Sequence, residues 1–560
     1  MGHMGVDGTG VAGSADWWRG AVLYQVYPRS FQDSDGDGIG DLPGLIDRLD
    51  HIAGLGVDAL WVCPFYPSPQ RDFGYDIADH CAVDPAFGRL EDVDRLITAA
   101  HRRGLRVVLD LVGGHTSDRH AWFQASRRNR EAATGDWYVW ADPRPDGTPP
   151  NNWLSVFGGP AWTWEPRRRQ YYLHHFLSTQ PALNLHNPEV QDALLGIAEF
   201  WLERGVDGFR LDALDFLTHD LELRDNPAQA PAGGAVPAKL FGMQRHDHDM
   251  IQPGTAPVLR RLRALLDRYP GRTTLGEVSS QDGAYQRIAG YTEGRDLLHM
   301  AYTLRPLRQG FDHPTVSALL ADAIATCERG WPCFSFSNHD VERAASRWAP
   351  NREPDGRMTR LLLALLLTLP GSACLYQGEE LGLPEAVLRE ADIRDPFGLT
   401  YWPEFKGRDG SRTPMPWRGD LPHAGFTAPR SAPWLPVADT HYDLSVSEQE
   451  MAPDSTLAFT RSLLRLRRDE PALRRGRAAS LDMPAPLFGF TREAEGRRVT
   501  VLFNLSGEAV ALPPALSAGK TPLFGPSVAP DTLPAWGFTA LADAETGMMI
   551  MSPVTELADA

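Results

Sequence analysis

Three acidic residues each close an apolar, strand-like run. They are Asp212 in "VDGFRLDALDF" (Val206 to Phe216), Glu277 in "TLGEVSS" and Asp340 in "FSNHDVE". Asp212 follows Arg210 by two positions, and residues at i and i+2 of a strand face the same way. A cation beside a carboxylate lowers its pKa, which suits an anionic nucleophile. Glu277 has no cation within three residues and lies between Leu275 and Val278. Apolar surroundings raise a carboxyl's pKa and keep it protonated. One anionic and one protonated carboxylate are what retaining glycoside hydrolysis needs. The alternative for Arg210 and Asp212 is a buried ion pair that only holds the strand. A lone acid at a strand end is commonly a cap or a surface residue; three at equivalent ends are harder to dismiss.

A second acidic group has metal-like spacing. "DSDGDGIGD" places Asp33, Asp35 and Asp37 at i, i+2 and i+4 before Gly38, the opening of an EF-hand-type loop. The twelfth position is Gly44, not Glu, so a complete EF-hand is excluded. The alternative is a solvated acidic turn. Four acids in this stretch repel one another without a cation, which favours a structural metal.

These side chains need a frame. Eight short β-rich runs recur: "AVLYQVY", "DALWVCPF", "LRVVLDLV", "GVDGFRLDAL", "RTTLGEV", "LLHMAYT", "WPCFSFSNHD" and "GSACLYQGEE". They mostly alternate with helical patterns such as "LEDVDRLITAAHRRG" and "VQDALLGIAEFWLERG". Eight such units predict an α/β fold, a (β/α)8 TIM barrel, with its site at the C-terminal strand ends. The barrel is expected over residues 15–112 and 186–474. Residues 113–185, rich in Trp, Pro and Asn and without a clear helix, read as a small domain inserted after strand three. Residues 475–560 alternate with turn signals and read as a C-terminal antiparallel β-sandwich.

Composition bounds the rest. The 560 residues, 42% of them hydrophobic, can bury a large core. The formal charge of −17 argues against nucleic acid or an anionic membrane as partner. Sixteen tryptophans can supply flat faces for sugar rings. Five cysteines without a CxxC pair read as buried free thiols in a reducing, cytoplasmic setting. Residues 1–14 resemble a vector-derived tag, and the longest apolar run, Leu361 to Leu369, is too short to span a bilayer.

The ordered motifs "DFGYDIADH", "DLVGGHTSD", "GFRLDAL", "GEVSS", "FSNHD" and "DGSRTPMPW" resemble glycoside hydrolase family 13, the α-amylase family, in its α-glucosidase and oligo-1,6-glucosidase branch. The resemblance runs from "WWRGAVLYQVYPRSF" to the C-terminal domain. It implies Asp212 as nucleophile, Glu277 as acid/base and Asp340 as transition-state stabiliser. It implies that Arg210 holds Asp212, that His115 and His339 hydrogen-bond the glucose, and that Tyr75 stacks on it. Asp72 and Arg412 match the pair that clamps the non-reducing end in exo-acting members. Ala213, after the nucleophile, matches α-1,4 rather than α-1,6 preference. The metal, Ca²⁺ or Mg²⁺, would take Asp33, Asp35, Asp37, the Ile39 carbonyl and Asp41. No organic cofactor is implied.

The implied activity is an exo-acting, retaining α-glucosidase on short α-glucosides such as maltose, with transglucosylation to sugars or alcohols, as a monomer or homodimer. A dedicated transglucosylase, trehalose synthase or sucrose-active enzyme is the alternative within the family. A non-catalytic barrel subunit is the alternative outside it, but such subunits carry a membrane span and often lack the acids. Two departures stand out: Gly113-Gly114 before His115, read as loosening that loop, and Ala182 in "STQPALNLHNP" where relatives often have Asp.

Overall fold

All eight runs are strands in a computed structural model of the protein, which describes residues 15–230, 239–279, 282–305, 310–348, 356–525 and 532–543. The tag-like residues 1–14 lie outside the described residues. In chain order the first strands are β1 (Val22–Val26), β2 (Ala59–Val62) and β3 (Arg106–Leu111). The insert then contributes β4 (Trp140–Ala141), β5 (Trp162–Glu165) and β6 (Gln170–Leu173), a small antiparallel sheet in the order β4-β6-β5. It also holds a short helix, Ala121–Ser126, capped by His120. That helix was not expected; six residues are too few for a 3.6-residue period to show.

The barrel resumes with β7 (Gly208–Leu211), β8 (Thr273–Val278), β9 (Met300–Thr303), β10 (Cys333–Ser335) and β11 (Ser372–Tyr376). The eight strands are parallel in the order β10-β11-β1-β2-β3-β7-β8-β9, and a parallel bridge between Ala301 and Pro332 links the two ends. The strands are buried on both faces because helices cover the outside and side chains fill the inside. Alternation sorts the two: Val22, Tyr24, Leu60, Val62, Val107 and Leu109 join the layer under the helices, while Leu23, Trp61, Val108, Leu275, Met300 and Cys374 fill the barrel.

The covering helices start on recognisable signals. Asn187 accepts from the Glu189 N–H and Pro188 occupies the first turn of Pro188–Glu203. In Leu90–Arg102, Asp92 reaches back to the Arg89 N–H, and Val93, Leu96, Ile97 and Ala100 line the buried stripe.

The C-terminal region supplies β12 (Arg477–Ser480), β13 (Leu487–Ala494), β14 (Arg497–Asn504), β15 (Val510–Ala511), β16 (Lys520–Phe524), β17 (Thr532–Leu533) and β18 (Phe538–Asp543). A five-stranded antiparallel sheet, β12-β13-β14-β18-β16, accompanies the pair β15-β17. Its two faces divide by parity. Leu487, Leu502 and Leu541 pack with Leu512 and Leu533 beside the small pair, while Phe488, Phe490, Val501 and Phe503 join the main core. None of the five cysteines forms a disulfide, and Cys63, Cys333 and Cys374 are buried. Among the described residues no helix is long and apolar enough to cross a membrane.

Candidate active site

The inward parity of β3, β7, β8 and β9 delivers one polar cluster to the barrel mouth. Arg210 is fully buried and bridges three carboxylates: its terminal nitrogens donate to Asp110 Oδ1 (2.7 Å), Asp212 Oδ1 (2.7 Å) and Glu277 Oε2. The Tyr302 hydroxyl accepts two further bonds from the same guanidinium (2.9 and 3.2 Å). Asp110 is completed by the Trp61 indole N–H (3.1 Å) and the Tyr75 hydroxyl (3.0 Å). Strand register explains the set: Asp110 is level with Arg210, and Glu277 is level with Tyr302.

This sharing corrects the charge assignment read from sequence. Burial pushes the Asp212 carboxyl well above its usual range; Arg210 pulls it down, and Glu277, Asp110 and Asp340 push it up. Glu277 is raised by burial too, and Arg210 opposes the shift. Arg210 therefore does not make Asp212 a low-pKa group, and Glu277 is not without a cation. Both carboxyls lie on Arg210, and the charge of Glu277 pushes Asp212 up, so ionisation of one opposes ionisation of the other. Asp340 differs. Burial raises it, but His339, Arg408 and Arg412 together hold it well below the usual carboxylate range.

Around these acids lie the other expected residues. The Tyr75 ring stacks on His339 (5.2 Å between centroids, 5° apart). His115 Nε2 lies 2.9 Å from the Tyr75 carbonyl and 3.3 Å from the Gln180 amide. Burial lowers His115 to about 4 and His339 to about 3, so both rings are neutral at pH 7. Ala213 is in the left-handed region (φ 43°), a strained conformation for alanine, and its backbone N–H lies against Glu277. A narrow recess beside Asp212 and Ala213 is lined by Gly114, His115, His175, Phe176 and Phe216.

Asp72 pairs with a different arginine from the one expected. Asp72 Oδ1 accepts from Arg408 (2.7 Å), not Arg412, and its Oδ2 accepts from Gln180 (3.0 Å). Arg408 also donates to Asp340 (3.1 Å) and Asp395 (2.6 Å). Arg412 instead donates to Asp340 (3.0 Å) and the His339 carbonyl (2.6 Å). Both arginines belong to one motif, "GRDGSR", and the helical turn Asp409–Ser411 between them turns their side chains to different partners.

The description "Alpha amylase, catalytic domain" fits residues 25–476, most of the chain. The chain belongs to the α-amylase family. It is 51% identical over 499 residues to a probable α-glucosidase of Rhizobium meliloti (strain 1021), covering 88% of this chain and 90% of that one. It is 36% identical to an oligo-1,6-glucosidase of Heyndrickxia coagulans, covering 89% and 93%. A crystal structure of an α-glucosyl transfer enzyme, XgtA, superposes with a TM-score of 0.89 at 51% identity, covering 94% and 99%. This α-amylase-family chain is a glycoside hydrolase of the α-glucosidase branch.

Within this α-amylase-family barrel the two sequence departures meet. His115 forms an isolated bridge with Ala182. The Leu183 N–H donates to the Gly114 carbonyl (3.0 Å) and the Thr116 N–H to the Pro181 carbonyl (3.3 Å). The loop is thus held by backbone pairing rather than loosened. A Cβ on Gly113 would come within 2.9 Å of a Leu194 methyl, the end of a partly buried side chain.

The acidic loop after β1 gathers Asp33, Asp35 and Asp37, whose carboxylate oxygens lie within 4.8 Å of one another. Asp41 is engaged elsewhere: it caps the helix Leu42–Asp47 through the Gly44 N–H (2.6 Å) and accepts from the Ser34 N–H and hydroxyl (2.9 Å each). The Ile39 N–H donates to Asp37 (2.7 Å).

Sequence reading missed Asp110, Tyr302, Gln180, Asp395 and Arg408. Asp110 carried a signal, an acid at an inward position of an apolar run. The others carried none. Arg408 neutralises the buried Asp72 and Asp395, so removing it strands them, while the more exposed Asp340 keeps Arg412. Arg408→Met should cost about 3–5 kcal/mol, read as a lower denaturation midpoint; a midpoint within experimental scatter of wild type would reject that role.

Proposed function

We propose that the protein is a retaining, exo-acting α-glucosidase that releases α-D-glucose from the non-reducing end of short α-1,4-glucosides and transfers glucosyl units to sugar or alcohol acceptors. The observation that carries the reading is the single buried guanidinium of Arg210 holding Asp212 and Glu277 side by side. That arrangement favours the carboxyl spacing of retaining enzymes, roughly 5–5.5 Å, over the roughly 6.5–9.5 Å that admits an inverting water.

Asp212 attacks the anomeric carbon while Glu277 gives its proton to the leaving oxygen. The step requires Glu277 to carry the proton and Asp212 to be the anion. Water or an acceptor, deprotonated by Glu277, then releases the sugar from Asp212. Asp340, kept anionic by Arg408 and Arg412, binds sugar hydroxyls and stabilises the oxocarbenium-like transition state. Tyr75, His115 and His339 shape the glucose pocket. The buried Asp72–Arg408 pair, with Gln180, closes its far end, which favours removal of terminal units. Ala213 leaves room for the α-1,4 acceptor side.

A dedicated transglucosylase is the second reading, supported by the 51% identity to an α-glucosyl transfer enzyme. Product analysis separates the two. Maltose, isomaltose and sucrose, each with and without an alcohol, should yield mainly free α-glucose, fastest from maltose. Glucosides in place of glucose without added alcohol would favour the transferase; β-glucose as first product would reject retention.

We further propose Ca²⁺ or Mg²⁺ on Asp33, Asp35, Asp37 and the Ile39 carbonyl, an all-oxygen set that suits either ion. The ion would neutralise the loop and steady the barrel rim. Chelation should lower Tm while leaving kcat little changed. An unchanged Tm in excess chelator, with no ion found by elemental analysis, would reject the site. Five unpaired thiols support a cytoplasmic location.

A further inference from the structure

Behind His339 lies a polar group that the mechanism above does not use. Gln25 is the inward residue of β1, two positions after Leu23, and is fully buried. Its Nε2 lies 2.8 Å from His339 Nδ1 and 3.2 Å from the Cys63 sulfur, while its Oε1 has no partner among the described residues. The His339 ring is sandwiched: Tyr75 stacks on one side and Tyr27 on the other (5.7 Å, 16°). The ring can neither tilt nor flip freely. Its remaining polar atom, Nε2, is buried, faces Asp340 Oδ2 at 3.4 Å and makes no hydrogen bond among the described residues.

We propose that Gln25 is a positioning residue for the reaction: its carboxamide holds His339 as the neutral tautomer with its hydrogen on Nε2, aimed at the glucose pocket. The inference rests on the reading of that pocket given above. Two neighbours select the same tautomer. Asp340 stays anionic, so a bare Nε2 lone pair would oppose its oxygen, whereas Nε2–H attracts it. With the hydrogen on Nε2, Nδ1 is an acceptor; the NH₂ end of Gln25 meets it at 2.8 Å, with the Cys63 sulfur farther off at 3.9 Å. The charged groups around the ring agree. Burial and the nearby Arg412, Arg210 and Arg408 disfavour imidazolium, and Asp340 alone opposes them. The Cys63 thiol, pushed up by burial, stays neutral, as do the Tyr27 and Tyr75 hydroxyls. A neutral donor can then serve the sugar without neutralising Asp340.

The test reads the tautomer directly. In full-length protein carrying ¹⁵N-histidine, the His339 signals, identified by their loss in His339→Asn, should show hydrogen on Nε2 and a bare Nδ1 throughout the active pH range. Gln25→Met removes the donor at similar size and should lower kcat about tenfold to a hundredfold with little change in KM. Gln25→Glu replaces the donor by an acceptor. Its ring should be doubly protonated near neutrality and, at higher pH, keep the hydrogen on Nδ1, leaving Nε2 bare. The alkaline limb of kcat should therefore move to lower pH, which a purely structural role would not produce. Hydrogen on Nδ1 in the wild type overturns the proposal, as does a Gln25→Glu pH profile that overlays the wild type. Should both variants misfold, the wild-type spectrum alone decides. If Asp212→Asn stays active while His339 shows Nε2–H, the functional reading fails and the positioning of the ring stands.

Discussion

Asp212→Asn should leave the barrel folded and remove nearly all turnover, a loss of at least about a thousandfold in kcat. The amide keeps the shape and still meets Arg210, but it cannot form the glucosyl ester. The change also removes one of four acids from a crowded cluster, since Glu277, Asp110 and Asp340 all push the Asp212 carboxyl upward. Stability should therefore hold or rise slightly, so lost activity will not be confused with unfolding. Circular dichroism and Tm establish the fold, and initial rates on an aryl α-glucoside establish turnover. More than about a tenth of wild-type kcat remaining would remove Asp212 from the nucleophile role.

Glu277→Gln tests the mechanism from the other carboxyl. The variant can neither protonate a leaving oxygen nor deprotonate an incoming one. An aryl α-glucoside needs little acid help, so its first step should survive while the second stalls. Glucosyl-enzyme should accumulate on Asp212, visible as an added hexose by mass spectrometry. Azide needs no general base and should restore turnover, giving α-glucosyl azide. A β-azide would mean that azide had taken the nucleophile's place and that the two roles are exchanged. The pH profile offers an independent reading. Burial raises the Glu277 carboxyl, and its proton is lost as pH rises through that raised value. The alkaline limb of kcat/KM should follow, and should disappear in the variant.

The barrel and its three acids were legible in the chain because both follow from local alternation. The period of two along β7 is enough to send Arg210 and Asp212 to one face, and helical runs between strands are enough to make the sheet parallel. The same parity divides β13 and β14 between two apolar layers, so the C-terminal sheet was legible too. The order of the motifs carried the family.

Other features depended on residues far apart in the chain. Glu277 looked isolated because no cation lies near it in sequence, yet β7 and β8 are adjacent and Arg210 reaches across. Asp212 looked stabilised as an anion, yet β3, β8 and the loop after β10 bring three more carboxylates to it. Arg408 and Arg412 are separated by a single short helical turn, too short to show a period, so sequence alone could not say which meets Asp72. Asp41 carries metal-like spacing but caps a helix, because that helix begins at the next residue. Gln25 was one polar residue in an apolar strand until the fold set it behind His339.

The physical reason is the range of the forces. Apolar periodicity and capping act over a few neighbouring residues, so sequence determined which elements form and which way their side chains face. Charge state and tautomer depend on every buried group within several ångströms, whatever its position in the chain. Only the closed barrel decided which carboxyls share Arg210, which arginine meets Asp72, and which nitrogen of His339 faces Gln25.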